Sequence, residues 1–153
     1  MSGLQNALAG LKILDASRVL AGPYASQVLA DLGAEVIKIE DPSSGDETRG
    51  WGPPFADDGM SAYFSSANRG KKSVTLNLKS LAGRGVFLEL AKRADVLIEN
   101  FRPSSSATLG VSAASLHAVN PRLVICKISG FGTNGAHAEE PGYDFVIQGQ
   151  SGL

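Results

Sequence analysis

The sequence predicts an α/β domain with a Rossmann-like parallel sheet and flanking helices. Three observations carry this. Short apolar runs of strand length alternate with stretches of helical periodicity. The connections between runs are long enough for the right-handed crossovers that parallel strands require. The length of 153 residues, with 43% apolar and 19% charged content, suits one globular domain with its own core.

The first strand–helix–strand unit spans Lys12–Glu40. Ile13 and Leu14 head a strand over Lys12–Asp15, and the loop Ala16–Gly22 follows. Pro23 is expected at the first helical position, where its missing N–H is no loss. Ala25, Val28, Leu29 and Leu32 recur at helical spacing as the expected inward face. Gly33 supplies a residue able to turn left-handed at the helix end. Val36, Ile37 and Ile39 make the second strand. The loop after the first strand then lies at the carboxyl end of a parallel sheet, where open α/β folds take ligands.

Asp41–Arg69 changes in composition, with Pro42 to Gly45 and Trp51 to Pro54 as turn signals. A connection of that length is expected to be functional or wrapped on a partner. Ala62–Ala67 reads as one or two helical turns, and Asn68–Lys72 as a solvated basic turn. The next unit opens with Val74, Leu76 and Leu78 alternating with Thr75 and Asn77 along a strand. Ser80 is the expected N-cap of a helix carrying Val86, Phe87, Leu90, Ala91 and Ala94. Gly83 and Gly85 each weaken that helix by about 1 kcal/mol relative to alanine. Asp95–Glu99 is a buried strand, ended by Asn100–Pro103. In the third unit Ser112 caps Ala113–Val119, Asn120-Pro121 breaks it, and Leu123–Ile128 is a strand holding Cys126. A glycine-rich loop from Ser129 to Gly135 follows, and Tyr143–Gln150 reads as an apolar-faced helix with no cap at Ser151–Leu153.

Bulk properties exclude several classes. With 14 basic and 15 acidic residues the net charge is −1, which gives no footprint for nucleic acid or a membrane surface. The stretch MSGLQNALAGLK lacks the basic start and apolar core of a secretory signal. No apolar run is long enough to span a bilayer, so a cytoplasmic setting is the expectation. One cysteine, Cys126, excludes a disulfide framework and a cysteine zinc site; mid-strand, it reads as an inert core thiol. His117 and His137 show no ligand or triad spacing, and no metal is expected.

The first loop has one glycine, Gly22, and a bulky Leu20, so it is not the G-x-G-x-x-G loop of a dinucleotide site. Arg18 in that loop brings a planar guanidinium suited to a carboxylate or phosphate. Phe101 and Phe131 follow strands and serve either core or a platform for a flat ring. Asp144 reads as an acid at a helix start. The residues by themselves therefore reach a parallel α/β domain whose strand-end loops suit a phosphorylated ligand.

A family resemblance adds a reaction. Gly10–Pro23 (GLKILDASRVLAGP), Ala30–Glu40 (ADLGAEVIKIE) and Gly45–Phe55 (GDETRGWGPPF) resemble the opening of the class III, CaiB/BaiF-type CoA-transferases. So do Asn68–Val74, Ala94–Pro103, Ser129–Gly132 and Gly142–Leu153. The resemblance implies that residues 1–153 are the N-terminal part of a large CoA-transferase domain, ending before the catalytic aspartate. It implies transfer of CoA from an acyl-CoA to a free carboxylic acid through an aspartyl intermediate. Coenzyme A is then a substrate, no cofactor is permanently bound, and the full-length protein is an interlocked homodimer. By the same analogy CoA contacts fall on Leu20 and Ala21, on Leu76, Asn77, Leu78 and Lys79, on Asn100, Phe101 and Arg102, and on Tyr143 and Asp144. Arg18 is expected to orient a second carboxylate, which favours dicarboxylic substrates. Asp41, Thr108 and Pro141 replace basic residues of formyl-CoA transferase, so the phosphate grip is expected to differ. No catalytic residue is assigned, and the chain alone is expected to be inactive. Two alternatives are an α-methylacyl-CoA racemase of the same family and a non-catalytic CoA-binding module. The racemase requires a histidine base in a Gly-His-Asp context, where this chain has Tyr143, and a phenol is poorly suited to take an α-proton at neutral pH.

Overall fold

The computed structural model describes residues 7–153; the first six residues of the stretch read above as lacking a signal fall outside them. Among the described residues, five strands form one wholly parallel sheet: β1 (Lys12–Ala16), β2 (Glu35–Glu40), β3 (Lys72–Thr75), β4 (Val96–Glu99) and β5 (Val124–Lys127). Their order is β3-β2-β1-β4-β5. The order reverses between β1 and β4, so the loops after those two strands flank the switch point of a Rossmann-like sheet. Register places Leu14 beside Ile37 and Leu97, and Ile13 beside Val36 and Val96.

Among the described residues six α-helices accompany the sheet: α1 (Ala21–Asp31), α2 (Ala62–Asn68), α3 (Leu81–Ala91), α4 (Pro103–Thr108), α5 (Ala113–Val119) and α6 (Asp144–Ser151). On one face Leu14, Ala16, Ile39 and Leu97 pack with Phe87 and Ala91 of α3 and Leu116 of α5. On the other, Ile13, Val36 and Ile98 pack with Leu29 and Ala30 of α1. No helix among the described residues is long and apolar enough to cross a membrane.

The caps expected at Ser80 and Ser112 form: Ser80 Oγ accepts from Gly83 N at 3.0 Å and Ser112 Oγ from Ser115 N at 3.3 Å. Gly33 ends α1 at φ +100°. Several expectations need correction. α1 starts at Ala21, which places Pro23 third in the helix, still within the first turn where an N–H has no partner. Its buried face is Gly22, Pro23, Ser26 and Gln27; Ala25 and Val28 face outward. That small and polar face fits because it meets charged groups on the sheet. β3 is Lys72–Thr75, not the alternating run to Leu78, because pairing with β2 stops where β2 turns away after Glu40. α4, absent from the sequence reading, has Pro103 at its first position and Gly110 beyond its end at φ +68°. Cys126 is exposed rather than core, since β5 is an edge strand whose Val124 is 61% exposed. α6 is capped after all: Gly152 turns left-handed at φ +84° and Leu153 N–H reaches the Gln148 carbonyl at 3.2 Å.

The largest surprise is Lys71, expected in a solvated turn. Its side chain is 2% exposed and pairs with Asp15 at 2.9 Å. Its ammonium also donates to the Pro23 carbonyl at 2.8 Å and to Asn68 Oδ1 at 2.9 Å, which uses all three protons. The second oxygen of Asp15 takes Ser17 N–H at 3.0 Å and the Ser17 hydroxyl, and Ser26 Oγ lies 2.6 Å from Oδ2. Burial alone would raise the Asp15 carboxyl, but Lys71, Lys38 and the two hydroxyls outweigh it and lower it. Glu40, also buried, holds Arg49 through two bonds of 2.7 Å and accepts from Ser73 Oγ at 2.6 Å and Asp46 N at 2.9 Å. Burial opposes ionisation there too, yet these donors bring the carboxyl down to about 2 from its ordinary 4.5. No buried side-chain polar atom among the described residues lacks a partner.

These observations give two expected outcomes. The carboxyls of Asp15 and Glu40 are lowered on folding, so their contribution is full above their ordinary values and is lost as pH falls through the folded ones. Chemical unfolding followed from pH 5 downward should show stability falling between about 4.5 and about 2 for Glu40. Glu40→Gln should flatten that limb by up to about 1.4 kcal/mol per pH unit. Gly83→Ala should lower stability by about 1–3 kcal/mol, because a Cβ there overlaps the Asn77 carbonyl oxygen. Helix propensity alone predicts the opposite sign, so a urea titration decides between them.

Candidate functional site

The carboxyl ends of β1, β2, β3 and β4 open on one shallow cleft of ≈ 60 Å³. Its floor is Ala16 and Ile39, the last inward-facing apolar residues of β1 and β2. Leu76, Leu78 and Lys79 line one side, and Phe101 and Leu109 another. Arg18, Glu40 and Asp41 complete the lining. Five of the residues named from sequence thus meet at one place: Arg18, Leu76, Leu78, Lys79 and Phe101.

Local chemistry explains how each is presented. After β3, Leu76 N–H still reaches Glu40 O at 2.9 Å, and the chain then leaves the sheet. Asn77 Oδ1 accepts from Lys79 N at 3.0 Å and the Asn77 carbonyl takes Ser80 N at 3.0 Å, making a tight turn. Arg84 of α3 holds that turn from below, with Nε 2.9 Å from the Leu78 carbonyl. Lys79 is left exposed at the rim. Asn77 is exposed, and its carbonyl oxygen is committed to the turn.

Across the switch point Asn100 clasps the backbone of Arg18. Its Oδ1 accepts from Arg18 N at 3.1 Å and its Nδ2 donates to Arg18 O at 3.0 Å. The loops after β1 and β4 are thereby joined edge to edge. Leu20 is the N-cap residue of α1 and supplies no side-chain cap; it is 46% exposed, and Ala21 beside it is exposed too. Uncapped N–H groups at a helix N-terminus attract anions. Arg102 stands exposed at the N-cap of α4.

Tyr143 and Asp144 do not line this cleft. They start α6, where Gly142 packs against Gly130 after β5, too close for a side chain on either glycine. Tyr143 is 60% exposed, and Asp144 accepts from Gln148 Nε2 at 2.8 Å. Asp41, the departure noted above, is committed to its own turn: its Oδ1 accepts from Ser43 N at 2.9 Å and Ser43 Oγ at 2.5 Å. Bonds from Ser43 lower its carboxyl. Thr108 Oγ1 likewise returns to the Ser104 carbonyl at 2.9 Å. Leu109 was missed because α4 was missed; Pro103 and Gly110 at the two ends of Pro103–Thr108 were the available signal. Among the described residues no cluster of three or more His, Cys, Asp or Glu could hold a metal ion.

Behind the cleft lies a second buried ion pair. Lys38 and Asp46 are 2.9 Å apart, with side chains 1% and 0% exposed. Lys38 Nζ also donates to the Ser17 carbonyl at 2.9 Å. Asp46 accepts from Thr48 N at 3.0 Å and Thr48 Oγ1 at 2.7 Å, and from Val19 N at 3.3 Å. Burial opposes the charge on Asp46, but Lys38 and Thr48 lower its carboxyl.

With this geometry in view, the chain can be set beside known proteins. It is 47% identical over 151 residues to a protein of Agrobacterium fabrum named succinate–glutarate CoA-transferase, covering 95% of this chain and 38% of that one. It is 48% identical over 144 residues to a protein of Acetobacter aceti named acetyl-CoA:oxalate CoA-transferase, covering 94% and 36%. The crystal structure of a CaiB/BaiF family protein from Brucella suis superposes with a TM-score of 0.92 at 48% identity, covering 97% of this chain and 40% of that one. The chain spans about a third of the length of the curated relatives it matches. The profile described as CoA-transferase family III matches residues 8–153, and the chain belongs to that family.

Proposed function

We propose that these residues form part of the coenzyme A site of a transferase that moves CoA from an acyl-CoA to a dicarboxylic acid. The observation that carries this is the convergence of Arg18, Leu76, Leu78, Lys79 and Phe101 on one strand-end cleft. Its chemistry suits the ligand. Lys79 and Arg18 offer cations at the rim, where phosphates and carboxylates are met by charge-assisted bonds. Leu76 and Phe101 offer apolar surface to a flat base. The uncapped N-terminus of α1, at Leu20 and Ala21, adds N–H groups for a pyrophosphate. Asn77, Asn100 and Arg102 are further contacts in this reading, and Tyr143 and Asp144, outside the cleft, would meet only a part of the ligand that extends beyond it.

Arg18 supports the choice of acceptor. A guanidinium pairs with a carboxylate bidentately, and a dicarboxylic acid keeps one carboxylate for that role while the other receives CoA. Relatives named for succinate, glutarate and oxalate agree with this. None of the residues of this cleft is assigned the role of the aspartyl nucleophile that the family resemblance implies. Coenzyme A is a substrate in this reading, and the full-length protein is expected to act in the cytoplasm as an interlocked homodimer.

Calorimetric titration of the chain with coenzyme A tests the site. Lys79→Ala should weaken binding by about tenfold, the loss of one charge-assisted phosphate contact. Equal affinity of parent and variant would remove Lys79 from the site, and no heat of binding for the parent would remove the site itself. In the transferase of its relatives' length, Arg18→Ala should lower the preference for succinate or glutarate over acetate by about tenfold or more. An unchanged preference would end the second-carboxylate role.

A further inference from the structure

The turn that carries Arg18 and Leu20 into the cleft is not one its sequence favours. Val19 sits at φ +68°, the one non-glycine residue at positive φ among those described. A β-branched side chain there is a genuine outlier, and such outliers persist only where the surroundings over-determine them. The surroundings here are specific. Asp46 Oδ2 accepts from the Val19 N–H at 3.3 Å. Lys38 Nζ donates to the Ser17 carbonyl at 2.9 Å. The two side chains bond each other at 2.9 Å, and Thr48 fixes the other oxygen of Asp46. From the opposite side Asn100 holds both backbone groups of Arg18. Neither Lys38 nor Asp46 lines the cleft.

A buried ion pair of this kind adds little net stability over apolar residues of the same volume. Its distinctive effect is directional, since it fixes the residues on either side of the Arg18 peptide. We propose that Lys38 and Asp46 are positioning residues, a buried clamp that holds the Ser17–Leu20 turn in its left-handed form and so sets where Arg18 and Leu20 stand at the cleft. This rests on the coenzyme A reading of that cleft. The clamp belongs to the face of β2 that carries Val36, Lys38 and Glu40 in alternation. Glu40 is tied to the same loop, accepting from Asp46 N at 2.9 Å and from Arg49. The turn, the end of β2 and the loop to Gly50 therefore form one rigid unit.

The test reads the turn and the ligand separately, on the 153-residue chain. A strong intraresidue amide–Hα NOE reports positive φ at Val19 without ligand. Calorimetry with coenzyme A, well below the unfolding midpoint, reports the cleft. In Asp46→Asn the NOE should weaken to that of an ordinary negative φ, and the coenzyme A Kd should rise about tenfold. Adding Val19→Gly to that variant should restore the affinity to within about threefold of the parent, because glycine holds a left-handed turn without a clamp. Asp46→Asn with a lowered midpoint but an unchanged NOE and Kd would overturn the proposal, as that is all a merely structural pair would show. If Asp46→Asn does not fold, Val19→Pro decides. It fixes φ near −65° and deletes the N–H within a surface turn. About tenfold weaker coenzyme A binding, with the rest of the spectrum unchanged, is expected; parent-like affinity overturns the clamp. Failure of the parent chain to bind coenzyme A would end the functional reading, while the ligand-free NOE would still decide whether the clamp exists.

Discussion

A carboxylate with no access to water must find cations and donors, and Asp15 is such a group. It stands at the end of β1, on the face that α1 covers. Its partners come from four places: Ser17 in the following turn, Ser26 on α1, Lys71 before β3, and Lys38 as its register neighbour on β2. Lys71 in turn grips the Pro23 carbonyl and Asn68 of α2. One buried charge thus decides how α1 and α2 lie on the sheet and where the chain re-enters it. This is why α1 turns Gly22, Pro23, Ser26 and Gln27 inward and leaves Ala25 and Val28 outside. Gly22 is required for the same reason, since a Cβ there overlaps the Ser17 side chain that Asp15 holds. Removing either member of such a buried pair costs roughly 3–5 kcal/mol, because the survivor is left charged and unpaired.

The sheet divides into two chemical halves along its strands. Toward the amino ends Ile13 and Val36 make an ordinary apolar layer beneath α1. Toward the carboxyl ends the same face carries Asp15, Lys38 and Glu40. The opposite face stays apolar to the end, with Ala16 and Ile39 reaching the floor of the cleft. The cleft therefore has an apolar floor backed by a layer of fixed charges. A layer of fully bonded ions is rigid, and rigid support is what a strand-end binding site needs. Asn100 extends that support across the switch point to β4.

The far side of the sheet is less covered. β5 leaves Val124 and Cys126 exposed, and α6 buries none of its residues, with Phe145 at 86% exposure. Tyr143 and Asp144 belong to this flank. The contrast with the centre of the sheet is physical. β1, β2 and β4 have a neighbour on both sides, whereas β5, like β3 at the other edge, has one.

Periodicity and punctuation in the sequence determined the element types other than α4, the parallel sheet, the caps at Ser80 and Ser112, and the left-handed Gly33. These depend on near neighbours along the chain, which is what a sequence displays. The strand-end residues Arg18 and Phe101 were legible too, because each lies in a family motif just after a recognisable strand, while Leu76 and Lys79, in and just beyond the run read as a strand to Leu78, came only from analogy with formyl-CoA transferase. The pairing of charges was not. Asp15 and Lys71 are 56 residues apart, and nothing local distinguishes Lys71 from its solvated neighbours Arg69 and Lys72. The inward face of α1, the exposure of Cys126 and the left-handed Val19 depended likewise on contacts made only once the sheet had assembled. Burial is a property of the folded whole: it raises the cost of an unpaired charge, and only the tertiary structure decides which distant partner meets it.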